Sequence, residues 1–209
     1  GVSLPTKAAW YAAELLGRVK AAAVGGGGQE QEEAGGVGQD SGAGLPPVSQ
    51  SEALARLRSD YEKDYFITGA MDEELYAPDC YFADPFNGFR GRDRFVENLK
   101  NLAGGFILAA DLKVLAFDVV GGEGDDGQQP LTVRTRVLVK LQLNLPWSPV
   151  LAWPWGVTHR FDSTTFQIVE HIEAWEVSAA EGVAQVFRPG SPAVLERLSQ
   201  KGKSKVDKV

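Results

Sequence analysis

The chain has 209 residues, is 44% hydrophobic, 10% aromatic and 23% charged, and carries a net charge of -7. The acid is concentrated in the body: residues 51–190 hold 13 basic and 21 acidic side chains, against 3 and 5 in residues 1–50 and 5 and 2 in residues 191–209. A body that acidic repels phosphate backbones, which argues against nucleic acid as the main ligand; the single cysteine, Cys80, excludes an internal disulfide and a cysteine-cluster metal site; and no apolar run approaches the roughly 20 residues of a membrane-spanning helix.

Residues 1–24 are rich in alanine and set Lys7, Arg18 and Lys20 against the single acid Glu14. They read as an N-terminal arm with one helix over 5–24, and their acid-poor composition fits the end of an organelle-targeting region as well as a trimmed boundary at Gly1. Residues 25–48 are glycine, glutamine, acid and proline with little to bury, a flexible linker. A domain is expected over 49–189. Ser49 and Glu52 fit a capping box, and Leu54, Leu57, Tyr61 and Tyr65 then recur at helical spacing. After a break at Thr68-Gly69, a short helix over 71–76 is expected to stop at Pro78. Residues 76–85 then make a strand that ends on Asp84-Pro85. A third helix starts near Gly91, with Phe95, Leu99 and Leu102 as its buried stripe and Gly104-Gly105 as its stop.

From residue 106 the period changes to two. Strands are expected over 106–120 and 131–145, joined by an acidic, glycine-rich hairpin loop. In the second, Leu131, Val133, Val137, Val139, Leu141 and Leu143 alternate with Arg134, Arg136, Lys140 and Gln142, giving one buried and one polar face. Pro146, Pro149 and Pro154, interleaved with Trp147, Trp153 and Trp155, are expected to interrupt the ladder. Strands over 155–162 and 166–177 then form a hairpin on the turn Ser163-Thr164-Thr165. Ser178 and Glu181 make a second capping box, opening a helix to about Phe187, and 190–209 is a basic tail. The fold class is therefore α+β, a curved antiparallel sheet covered by three N-terminal helices, which leaves a pocket at its open end.

This order of elements over about residues 51–188 resembles the nuclear transport factor 2-like superfamily, a cone-shaped fold that includes ketosteroid isomerases, scytalone dehydratase and polyketide cyclases. Within it, Ala83-Asp84-Pro85, Phe89-Arg90-Gly91, Pro146-Trp147-Ser148-Pro149 and His171-Ile172-Glu173-Ala174-Trp175 resemble a plant, algal and cyanobacterial group of unknown function with chloroplast members. The resemblance implies residence in the chloroplast, in the stroma or at the thylakoid. It also implies that Asp84 stands where the similar isomerases have their general base, that Tyr61 or Tyr65 stands near their tyrosine donor, and that Trp175 is a pocket tryptophan. Val157 takes the place of their second, acidic donor, which counts against steroid-isomerase chemistry.

Two readings of Asp84 stay open: a general base, or a turn residue whose carboxylate accepts N–H groups around Asn87-Gly88. His171, Glu173 and Trp175 alternate on one strand and so share a face. With Asp84 they form either a ligand-binding, proton-moving group or a pair across the sheet or a dimer contact. His159 shares a face with Trp155, Val157 and Phe161 and reads as a core or rim histidine. Arg134 and Arg136 read as a solvated or dimer face, or as a clamp for an anion. The tryptophans of 147–155 either plug one end of the cone or lean on a membrane surface or partner.

No phosphate loop, dinucleotide fingerprint or zinc spacing occurs, so no cofactor and no metal are expected. The expected function is a non-catalytic pocket or scaffold that binds a small apolar molecule or a protein partner, with homodimerisation and peripheral membrane contact open. The alternative is an isomerase, dehydratase or cyclase with Asp84 as base and Tyr61, Tyr65 and His171 as donors.

Overall fold

The computed structural model describes residues 44–85, 87–101, 107–122 and 130–197. The N-terminal arm, most of the linker, Leu102, Gly104-Gly105, the tip of the acidic hairpin and the lysines from Lys201 onward lie outside the described residues.

Helix α1 is Gln50–Glu62. The Ser49 hydroxyl accepts the N–H of Glu52 at 3.2 Å, as the capping box requires, but the Glu52 carboxylate reaches one residue further back than expected and accepts from the Val48 N–H at 3.1 Å. The helix buries Ala53, Leu57, Asp60 and Tyr61. It does not continue to Tyr65. Asp64 is left-handed, with φ 51° and ψ 47°, and Tyr65–Thr68 forms a separate turn of helix, α2, closed by Gly69 at φ 72°. The kink turns both Tyr65 and Phe66 into the core.

The helix expected over 71–76 shrinks to a 3-10 turn, Glu73–Leu75, because Tyr76 already belongs to strand β1, Tyr76–Ala83. Pro78 therefore sits inside a strand and ends no helix. It costs no ladder bond there, since the pairing of β1 is irregular between Tyr76 and Tyr81. β2, Gly88–Arg90, folds back on β1, and α3, Arg92–Asn101, buries Phe95, Val96 and Leu99. Phe95 stacks on Phe82 of β1 with ring centroids 4.0 Å apart.

The remaining strands are β3 (Ile107–Val120), β4 (Thr132–Leu143), β5 (Val150–Phe161) and β6 (Ile168–Trp175). They form one curved, unclosed, six-stranded sheet in the order β2-β1-β6-β5-β4-β3. The sheet is mixed, because β1 lies parallel to β6 while the other pairings are antiparallel. Bulges in β1, β3 and the β5–β6 ladder bend it. α4, Ala179–Phe187, is capped as expected, the Ser178 hydroxyl accepting from the Glu181 N–H at 3.1 Å. Residues 192–197 are also helical.

β5 starts at Val150 and not at Trp155, running straight through Pro154. In an antiparallel strand a residue's nitrogen and carbonyl point to the same side. The Pro154 carbonyl accepts the N–H of Glu176, one residue beyond the end of β6, so its nitrogen faces the same side, opposite Glu176 at the last position of that ladder. The missing donor therefore removes a terminal bond and no interior rung.

Trp153 and Trp155 are buried, and Trp147 donates its ring N–H to the Val186 carbonyl at 2.7 Å. These rings face the core and α4. Of the expected polar row on the outer face, Arg136 makes two bonds to Glu176, at 2.5 and 2.6 Å, and on the neighbouring strand Arg160 lies 3.1 Å from Glu170.

Candidate functional site in the cone interior

The concave face of β4, β5 and β6 is closed by α1 and α2, and what the strands turn into it is not purely apolar. Alternation along β5 buries Trp155, Val157, His159 and Phe161; alternation along β6 turns His171, Glu173 and Trp175 the same way. The β5–β6 register sets His159 opposite His171, Val157 opposite Glu173, and Trp155 opposite Trp175. The two histidines are cross-strand partners with ring centroids 4.9 Å apart.

From α1, the Tyr61 hydroxyl meets Thr135 Oγ1 of β4 at 2.6 Å and His159 Nε2 at 3.0 Å. Thr135 in turn donates to the Val157 carbonyl at 3.5 Å. One consistent assignment of this chain has His159 Nε2–H donating to Tyr61 and Tyr61 donating to Thr135, which leaves His159 Nδ1 as a bare acceptor. That atom has no partner.

His171 is 1% exposed and ringed by Phe66, Tyr76, Phe82 and Phe95, whose centroids lie 5.0 to 6.3 Å away. Neither of its nitrogens makes a hydrogen bond; Nε2 stands 3.5 Å from Glu173 Oε1. Burial pushes the His171 imidazole down to about 3. His159 is depressed well below its ordinary value by burial and then by neighbouring His171. Both rings are therefore neutral at pH 7.

The Glu173 side chain is 14% exposed. Its Oε2 accepts the Trp175 ring N–H at 3.1 Å. Burial pushes its carboxyl up to about 7, against the opposing pull of that hydrogen bond. Burial likewise holds Tyr65 and Tyr76 as phenols, whose hydroxyls interact with each other, and the ring N–H groups of Trp153 and Trp155 have no partner. Among the described residues no lysine or arginine is buried, and no group of three histidine, cysteine or acidic side chains is placed to hold a metal ion.

Asp84 follows β1 at the edge of this region and is half-buried. Its Oδ1 accepts the Asn87 N–H at 2.8 Å while its own N–H bonds the Asn87 carbonyl at 2.9 Å, closing the turn into β2. The last paired position of β1 and β6 is Ala83 with Ile172, one residue before Asp84 and Glu173 respectively.

Tyr61, Tyr65, His171, Glu173 and Trp175 thus converge on one interior. Three participants were not singled out as site residues: His159, Tyr76 and Thr135. Only His159 carried a legible signal, its alternation with Trp155 and Val157.

Residues 51–171 match the family model described as "Uncharacterized conserved protein (DUF2358)". No protein of curated function matches the sequence. Among solved structures, the chain is similar to an LEH-like epoxide hydrolase of M. tuberculosis, at 14% identity over 66% of this chain and 92% of that one, TM-score 0.45. It is also similar to a putative polyketide cyclase from Xanthomonas campestris pv. campestris, at 18% identity over 66% and 99%, TM-score 0.44. A third is an NTF2-like protein of unknown function from Burkholderia pseudomallei K96243, at 14% over 68% and 100%, TM-score 0.47.

Proposed function

The chain belongs to the DUF2358 family of uncharacterised conserved proteins, and from its interior we propose that the domain is a binding module for a small, uncharged, largely apolar molecule that carries at least one hydrogen-bonding oxygen. The observation that carries this is the set of polar atoms left without partners among aromatic walls: the Trp153 and Trp155 N–H groups, His159 Nδ1 and both nitrogens of His171. A buried polar group left unpaired costs on the order of 1–3 kcal/mol. Their concentration on one face is what a site for a polar-tipped apolar ligand requires. The tryptophan N–H groups can only donate, so they favour an acceptor oxygen. With no buried cation among the described residues and both histidines neutral, an anionic ligand would lie there uncompensated.

Residence in the chloroplast is part of this proposal and rests on the motif resemblance; microscopy of a fluorescent fusion of the protein expressed from its complete coding sequence tests it. The binding itself is tested by native mass spectrometry of the protein after incubation with a panel of neutral aromatic ketones, phenols and quinones. Retention of panel members is expected. Retention of none overturns the proposal.

A second reading, an isomerase, dehydratase or cyclase with Asp84 as base and Tyr61, Tyr65 and His171 as donors, draws on Asp84 and Glu173 each lying one residue beyond the last paired position of β1 and β6. Conversion of a bound panel member to a product of altered absorbance or retention time would favour it over binding alone.

A further inference from the structure

We propose that the Glu173 carboxyl is the group that reads the ligand's polar end, donating its own O–H to an acceptor oxygen of the bound molecule. This rests on the binding proposal above and adds the contact, its direction and its pH dependence.

Geometry singles out Glu173. Its two oxygens are differently placed: Oε2 is held by the Trp175 N–H at 3.1 Å, while Oε1 points toward His171 Nε2 at 3.5 Å without closing a hydrogen bond to it. The N–H on Oε2 leaves Oε1 as the oxygen to carry a proton, and that proton has only a neutral imidazole beside it. His171 is sealed by aromatic rings on its other sides, whereas Glu173 retains partial exposure at the boundary of the cluster.

The groups that face Glu173 supply no positive charge to hold it ionised. Those on its own strand are His171 and Trp175. Across the ladder lies Val157, flanked by Trp155 and His159. From α1 and α2 come Tyr61 and Tyr65, whose own ionisation Glu173 opposes. Asp84 lies one residue beyond the last paired position of β1. A carboxyl so surrounded sheds its charge by keeping its proton, and its raised titration, to about 7, agrees. An acceptor oxygen binds the acid form and is repelled by the carboxylate, so affinity follows the acid population.

The probes are 2-acetylnaphthalene and 2-ethylnaphthalene, which differ only by a carbonyl in place of a methylene; each is titrated into the full chain at pH 5.5 and 8.5 with tryptophan fluorescence and calorimetry as readouts. For a midpoint near 7, 2-acetylnaphthalene binding is expected to weaken about 30-fold between the two pH values while 2-ethylnaphthalene binding stays level. Glu173→Gln keeps a neutral N–H donor and should bind the ketone equally at both. Trp175→Phe removes the N–H that stabilises the carboxylate, so the midpoint should move to higher pH, a displacement that loss of packing alone does not produce. Ketone binding that is independent of pH in the wild type, or pH dependence that survives Glu173→Gln, overturns this inference and leaves the binding module standing. Binding of neither probe at either pH overturns both.

Discussion

Each polar side chain of the interior is set by two things, its partner and its dryness. Tyr61 has both: it is almost fully buried and spans α1 to β4 and β5 through Thr135 and His159. Tyr61→Phe leaves two buried groups without their partner, and the expected loss is about 1–3 kcal/mol of stability, read from the midpoint of urea unfolding. An unchanged midpoint would mean that Thr135 and His159 find other partners. Tyr65 is held more loosely: its buried hydroxyl closes no short hydrogen bond and interacts only with the Tyr61 and Tyr76 hydroxyls. Tyr65→Phe should leave stability within about 0.5 kcal/mol and tells on ligand binding instead. Asp84 was open to two readings from its position before proline. The turn bond to the Asn87 N–H is present.

At the scale of elements, local patterns were legible wherever the signal was local. The cap of α4 at Ser178 and the alternation along β4 could be read from a few neighbouring residues. The proline of β5 could not, because whether a missing N–H matters depends on where the adjacent strand ends. Since Pro154 lies opposite Glu176 at the terminal position of the β6 ladder, Pro154→Ala is expected to change stability by less than about 1 kcal/mol, whereas Val157→Pro, in the paired interior of the same strand, should cost about 3 kcal/mol or more. Equal effects in thermal unfolding would refute this placement.

The β5–β6 hairpin illustrates the same limit. A three-residue turn at 163–165 would set His159 opposite Val169. The turn instead takes in Phe166, at φ 57°, and a further shift lies between Arg160 and Phe161, so His159 meets His171. Two shifts of one residue preserve which face a side chain occupies but change its partner. The face of His159 was therefore readable, and the histidine pair was not.

For the molecule as a whole, the buried ionisable groups make opposing demands on pH. Asp60 on the buried face of α1, whose carboxylate takes the Asp72 N–H at 3.0 and 3.1 Å, is pushed by burial from 3.8 to about 7, and Glu173 from 4.5 to about 7. Both hold a proton in the native state that the unfolded chain has released, so each lowers stability as pH rises toward 7. His171, depressed from 6.5 to about 3, and His159 do the reverse and lower stability as pH falls below 6.5. Between about pH 4.5 and 6.5 the two pairs cancel, and a stability plateau is expected there, with a fall on the acid side and a smaller fall toward pH 7. In Glu173→Gln the balance breaks, and stability should climb by about 1.4 kcal/mol per pH unit across that window, measured by urea unfolding at stepped pH. A flat profile in the variant would refute the assignment.

The sequence by itself determined the class of fold, because helical and strand periods, caps and turn residues are local and report which face is buried. It also placed His171, Glu173 and Trp175 on one side of one strand. Only the tertiary structure decided that β1 runs parallel to β6, that His159 lies against His171, and that Tyr61 bridges His159 to Thr135. Those contacts join residues tens of positions apart through bulges and strand order, and neither leaves a mark on the local pattern of the chain.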